Sequence, residues 1–174
     1  MINYKEGFVE PFWDEQFKNL DYHKEIFNNE KDIERWRKSG YTQEVSNFSG
    51  MMCPHGKAHP EWANQIIKWV EDEIGLNDVG VCFYKMETGV ILPMHSDHYN
   101  TYRIRFNCGM DQINRVLIFL EDWKSGHYFE VENSPIMKYK AGTFIHWKGD
   151  AKHMAANIGE EDRYTLQITG WKEK

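Results

Sequence analysis

The sequence predicts a mainly β fold, a double-stranded β-helix or jelly roll of cupin-like type, and two observations carry the prediction. From Asn77 onward, short runs of β-branched and aromatic residues are punctuated by Gly, Asn and Asp, which is the signature of many short strands. Before Asn77, aromatics mix with charges and β-branched clusters are missing, so this part reads as a helical preface. Strands that follow such a preface point to a barrel or jelly roll braced by helices. No internal repeat or linker-like tract divides the chain. We therefore read residues 1–174 as one domain, with helical support over about 1–76 and the β-helix core over about 77–172.

Composition sets the outer limits. The 174 residues are enough to bury a core without staples, and 41% hydrophobic with 28% charged content is that of a soluble globular protein. With 21 basic against 27 acidic residues the net charge is -6, which argues against a broad phosphate-binding face and so against a nucleic-acid partner. Cys53, Cys82 and Cys108 are odd in number and widely spaced, so they read as free thiols in a reducing compartment. No basic leader runs into an apolar stretch, and no run approaches the roughly 18 apolar residues of a membrane span, so the expected location is cytoplasmic.

In order along the chain, short helices are expected over 13–20 and 29–38, with Phe8, Phe12, Trp13, Phe17, Tyr22, Phe27 and Trp36 packing against one side of a sheet. Residues 50–60 loosen into a loop suited to a lid. Its Cys53, His55 and His59 are zinc-ligand types, but their spacing matches no closed four-ligand pattern. The clearest helix follows: Pro60 suits a first helical position, Trp62, Ile66, Val70 and Ile74 recur on one face, and Gly75 supplies a left-handed stop. Strands are expected over 79–84, 90–94, 102–107, 115–120, 126–131, 135–139, 143–147, 152–157 and 163–170.

The chemistry gathers at His95-Ser96-Asp97. Side chains two apart in an extended chain share a face, so His95 and Asp97 can hold one metal ion. His153 supplies a third ligand from a later strand. Two imidazoles and one carboxylate with positions left open form the facial triad that favours non-haem Fe(II) and oxygen chemistry. If the segments around His153 and Arg163 form an antiparallel hairpin, the two residues oppose each other and Arg163 reaches into the same pocket. Thr165 lies two residues along that strand, on the Arg163 face. Trp123 and Trp147 are large enough to wall the pocket, His146 reads as a packed core histidine, and His98 should point away from the triad.

These motifs, His95-Ser96-Asp97, Asn100-Thr101-Tyr102-Arg103-Ile104-Arg105, and His153 followed by Asn157 and Arg163, resemble those of Fe(II)- and 2-oxoglutarate-dependent dioxygenases from about Val79 to Trp171. Within that superfamily they are most similar to the aspartyl/asparaginyl β-hydroxylase group. The resemblance implies a ferrous ion held by His95, Asp97 and His153, and 2-oxoglutarate and O2 as cosubstrates. It places Arg163, ten residues after the distal histidine, on the far carboxylate of 2-oxoglutarate, and either Arg105, the preferred one, or Arg103 on its other end. Tyr84 resembles a cosubstrate-contacting tyrosine of prolyl hydroxylases. The implied activity is hydroxylation of an amino-acid side chain, in a peptide or a free amino acid, with succinate and carbon dioxide as co-products. Two alternatives stay open: a cupin-like metal enzyme that does not use 2-oxoglutarate, and a non-catalytic binding module on the same scaffold.

Overall fold

The structure is a computed structural model that describes residues 4–54 and 56–173. Its strands are β1 (Tyr4–Phe8), β2 (His23–Lys24), β3 (Met51–Pro54), β4 (Asn77–Met86), β5 (Ile91–His95), β6 (Ile113–Phe119), β7 (His127–Val131), β8 (Ser134–Ile136), β9 (Thr143–Lys148), β10 (His153–Asn157) and β11 (Arg163–Trp171). Three α-helices accompany them: α1 (Glu30–Lys38), α2 (Trp62–Trp69) and α3 (Asn100–Phe106). A large sheet runs β1-β9-β6-β11-β4-β3-β2 and a small one β5-β10-β7-β8, with antiparallel pairing throughout. Two facing antiparallel sheets are the jelly-roll architecture that the strand pattern predicts.

The large sheet is covered on both faces, which explains why its central strands are apolar almost throughout. On its outer face Val81, Phe83, Val116, Ile118, Leu166 and Ile168 pack beneath Trp62, Ala63, Ile66 and Val70. On its inner face Tyr84, Met86, Leu117, Phe119, Ile145 and Trp147 meet Phe129, Val131 and Ala155 of the small sheet. Strict alternation therefore assigns residues 163, 165 and 167 of β11 to the space between the sheets. Helix α2 ends in a π-helical turn, Val70–Ile74, and Gly75 closes it at φ 73°, the left-handed stop expected at that position.

Three expectations need correction. The strand expected over 102–107 is α3, entered through Tyr99 and left through Asn107, both at φ 49°. Tyr102 and Phe106, four apart, pack on one another with ring centroids 4.7 Å apart, as a helix requires and a strand would not allow. The stretch expected as helical support also contributes strands: β1 extends the large sheet from β9, and β3 and β2 extend it from β4. Finally, β10 and β11 are not a hairpin. β10 pairs with β5 and β7, β11 with β4 and β6, and the connection between them crosses from one sheet to the other. Asn157 secures that crossing, its amide donating to the carbonyls of Met86 (2.9 Å) and Glu161 (2.8 Å) and accepting from the Gly159 N–H (3.0 Å).

His146, on the outer face of β9, is bonded to Asn114 Oδ1 at 2.9 Å. Burial, with Lys172 and Lys5 nearby, pushes its pKa down to about 4. The folded state thus resists a proton that the unfolded chain accepts near pH 6.5, so the stability carried by neutral His146 is full above that pH and is lost as pH falls towards 4. We expect denaturant unfolding of the metal-free protein to show stability declining over this window, and a His146→Gln variant to decline less steeply. Equal slopes in the two proteins would contradict the assignment.

Candidate active site

The register of the small sheet sets His95 directly across from His153. Their rings lie with centroids 4.3 Å apart, and both are buried, at 3% and 8% exposure. The Nδ1–H of His95 donates to the Pro93 carbonyl (2.8 Å) and that of His153 to the Ala151 carbonyl (3.2 Å). Because a carbonyl only accepts, each ring carries a proton on Nδ1, and in the neutral ring the Nε2 lone pair is free. Both Nε2 atoms face Asp97 Oδ1, at 3.5 Å and 3.9 Å. One ligand atom from each of the three residues lies within 4.8 Å of the others, the grouping expected of a metal centre.

Electrostatics keep Asp97 and His153 in their ligating forms. Burial works against ionisation of Asp97, but the neighbouring His95 and the Arg115 guanidinium outweigh it and hold the carboxyl well below the usual range. Burial, aided by the adjacent His95, pushes His153 down to about 4 and keeps it neutral. Phe27 and Trp36 close over His95, and Trp36 Nε1–H anchors the strand at the Met94 carbonyl (3.1 Å).

Behind the triad lies a cavity of about 170 Å³, walled by Leu92, Phe129, Trp147 and Ala155. Arg163 projects into it from the opposite sheet, so the triad and this arginine meet across the interior and not along a hairpin. Its Nη1–H donates to the Tyr128 carbonyl at 2.6 Å, its Nε has no partner, and no ion pair among the described residues includes it. Burial pushes its pKa down. Thr165 Oγ1 and Trp147 Nε1 are likewise buried without partners. Of these, Arg163 and Trp147 line the cavity, whereas Thr165 lies on the Arg163 face of β11 but not among the lining residues. Buried donors are ordinarily satisfied, and an orphaned guanidinium in such a cavity can take a polar, anionic ligand.

The other expected residues divide. Tyr84 lines the cavity and stands directly opposite Thr165. Its hydroxyl accepts from the Gly50 N–H (2.5 Å) and meets Ser49 Oγ (2.8 Å), which in turn donates to Glu25. The only phenolic proton is therefore directed to Ser49, and it is the ring of Tyr84 that faces the cavity. Arg105 does not reach the cavity. It is exposed on α3, lies over the Phe106 ring, and lines a wider outer cleft of about 1030 Å³. Arg103 lies on the same helix and does not line the cavity either, because the segment that was expected to alternate in a strand is helical. His98 bonds Asn29 outside the triad (2.6 Å), and Trp123 is engaged by the His127 carbonyl (2.7 Å). Cys53, Cys82 and Cys108 are free, and His55 lies outside the described residues.

Two residues were not anticipated. Arg115 enters from β6 and donates through Nη2 to Asp97 Oδ2 at 2.8 Å, and Gln167 lines the cavity beyond Thr165. Strand parity is the signal that finds both: Arg115 stands two before inward-facing Leu117, and Gln167 two after Thr165.

No family model and no curated protein matches the chain. Among solved structures, a prolyl-4-hydroxylase from Pseudomonas putida aligns over 99% of this chain and 94% of its own, with TM-score 0.59 and 12% identity. A cupin protein from Bacteroides fragilis aligns over 60% and 75% (TM-score 0.40, 15% identity). A predicted oxalate decarboxylase from Thermotoga maritima aligns over 70% and 80% (TM-score 0.43, 14% identity). These likenesses concern the fold, and they do not single out the aspartyl/asparaginyl hydroxylase group. Among the described residues no helix is long and apolar enough to cross a membrane.

The geometry makes a direct demand on metal uptake. Equilibrium dialysis with Mn(II) should show one ion per chain, with affinity in His153→Ala or Asp97→Ala reduced by more than the roughly 10–100-fold typical of losing an outer partner. Uptake unaffected by either substitution would place the metal elsewhere.

Proposed function

We propose that this chain is an Fe(II)- and 2-oxoglutarate-dependent oxygenase that hydroxylates an amino-acid side chain, with succinate and carbon dioxide as co-products. The observation that carries the reading is Arg163, a buried guanidinium with an unpartnered Nε and no counter-charge, in the same cavity as two histidines and a carboxylate whose ligating atoms converge. A lone buried cation costs several kcal/mol unless an anion joins it, and a guanidinium takes a carboxylate through two parallel bonds. Thr165 Oγ1, also unpartnered, adds a hydroxyl on the same face.

His95, Asp97 and His153 would hold the ferrous ion, which when bound supplies the oxygen-dependent redox chemistry. Arg163 and Thr165 would bind the far carboxylate of 2-oxoglutarate and so fix the end of the molecule that does not react. Phe129, Trp147 and Leu92 keep that end dry, which strengthens the charged contact. The outer cleft shares Glu25, Phe27, Met52, Asp97 and Arg115 with the cavity, so it opens onto the triad and gives the hydroxylated side chain its approach.

The volume of this cleft, about 1030 Å³, is more than a free amino acid fills and favours a residue within a peptide. The aspartyl/asparaginyl resemblance loses one support, because Arg105 faces outward, and the fold match over nearly the whole chain is to a prolyl-4-hydroxylase. We therefore assign the reaction class without choosing between aspartyl, asparaginyl and prolyl acceptors.

Calorimetry under anaerobic conditions tests this directly. 2-Oxoglutarate should bind only in the presence of Mn(II) or Fe(II), and Arg163→Gln should weaken it by on the order of 100-fold, the scale of losing one partner of a buried charge pair. Thr165→Val should weaken it severalfold. Metal-loaded protein that ignores 2-oxoglutarate would leave the cupin-like alternative in its place.

A further inference from the structure

Arg115 makes contacts that metal binding alone does not require. Each of its guanidinium nitrogens is engaged: Nε–H donates to the Tyr99 hydroxyl (3.1 Å), Nη1–H to Thr169 Oγ1 (2.9 Å) and Nη2–H to Asp97 Oδ2 (2.8 Å). The cation also lies over the Tyr99 ring, 5.0 Å from its centroid. Tyr99 is itself fixed, in a left-handed conformation at φ 49°, just before α3 begins. The two oxygens of Asp97 are therefore given different partners. Oδ2 is held by Arg115, and Oδ1 faces the Nε2 atoms of His95 and His153.

We propose that Arg115 is a positioning residue that reserves one oxygen of Asp97 and so limits this carboxylate to a single bond with the metal. The inference rests on the metal-binding part of the function proposed above. An unrestrained carboxylate can turn both oxygens to a cation and take up two coordination positions. Held by Arg115, Asp97 takes up one and leaves the other for small ligands. The same contact neutralises the carboxylate and places a positive charge beside the ion, so Arg115 lowers metal affinity while keeping the site open. A residue with only a structural role would have the opposite effect, and its removal would loosen the site and weaken the metal.

The test is Co(II) titration, followed by visible absorption, which reports the ligand set around the ion independently of turnover. Arg115→Met should bind Co(II) about tenfold more tightly or better, since a unit charge beside the ion is gone, and with a shifted ligand-field spectrum, as expected when a second carboxylate oxygen replaces a small ligand. Arg115→Lys, which keeps a cation on Oδ2, should stay close to the unsubstituted chain in both. If Arg115→Met folds poorly, Thr169→Val and Tyr99→Phe release the guanidinium one contact at a time and should shift the spectrum in the same direction by less. Binding no tighter in Arg115→Met overturns the proposal, as do unchanged spectra across the variants that fold. Failure of the unsubstituted chain to take up Co(II) removes the metal reading itself, and this one with it.

Discussion

A guanidinium without a counter-ion sits between two sheets of apolar side chains, and the interior is organised around accommodating it. Arg163 is 3% exposed, Phe129 and Trp147 line the cavity with it, and its Nη1–H donates to the carbonyl of Tyr128. Folding alone would not retain such a group, since an apolar residue of similar volume would stabilise the core more. Under the proposed function the position is that of a binding device, in which part of the folding free energy is given up to hold a charge desolvated and aimed before its ligand arrives. The double cover of the large sheet makes this tolerable. Leu166 and Ile168 alternate with Arg163, Thr165 and Gln167 along β11, so the strand that carries the polar ladder is anchored by its other face under α2.

The triad is assembled by different means. His95 and His153 come together through backbone register, at the end of β5 and the start of β10, whereas Asp97 lies past the end of its strand and is positioned by side chains. The backbone carbonyls of Pro93 and Ala151 orient the imidazoles, and Arg115 orients the carboxylate. The N-terminal part adds a cap from outside, with Phe27 and Trp36 over His95 and the Glu25–Ser49–Tyr84 chain of hydrogen bonds at the cavity wall. One consequence is that the cavity rim and the outer cleft share residues from segments far apart in sequence.

Local patterning made much of this legible. Period-two alternation located the strands from β4 to β11, and the Trp62, Ile66, Val70 stripe with Gly75 located α2. His95, Asp97, His153 and Arg163 were legible because residue type and spacing converge on one chemistry. The misses share a physical cause, since each depends on long-range partners. Tyr102-Arg103-Ile104-Arg105-Phe106 alternates as a strand would, and over so short a run that pattern does not separate a strand from an exposed helix. β1 carries Lys5 and Glu6, polar residues that an edge strand accepts, and its partner β9 lies more than a hundred residues away. The short link between Asn157 and Arg163 reads as a hairpin loop, and only the long-range pairing of β10 with β5 and β7 and of β11 with β4 and β6 makes it a crossing between sheets. Arg115 escaped because no motif surrounds it; its place in the site follows from which face of β6 is inward.

Under the proposed function, one cavity joins a metal centre to a receptor for an organic anion. Anomalous diffraction at the manganese edge, from crystals grown anaerobically with Mn(II) and 2-oxoglutarate, tests it in one measurement. The expected result is a single peak bonded to His95 Nε2, His153 Nε2 and one oxygen of Asp97, with density for a five-carbon dicarboxylate running from the ion to the Arg163 guanidinium. A peak elsewhere, or an Arg163 that turns away from the bound acid, would contradict it.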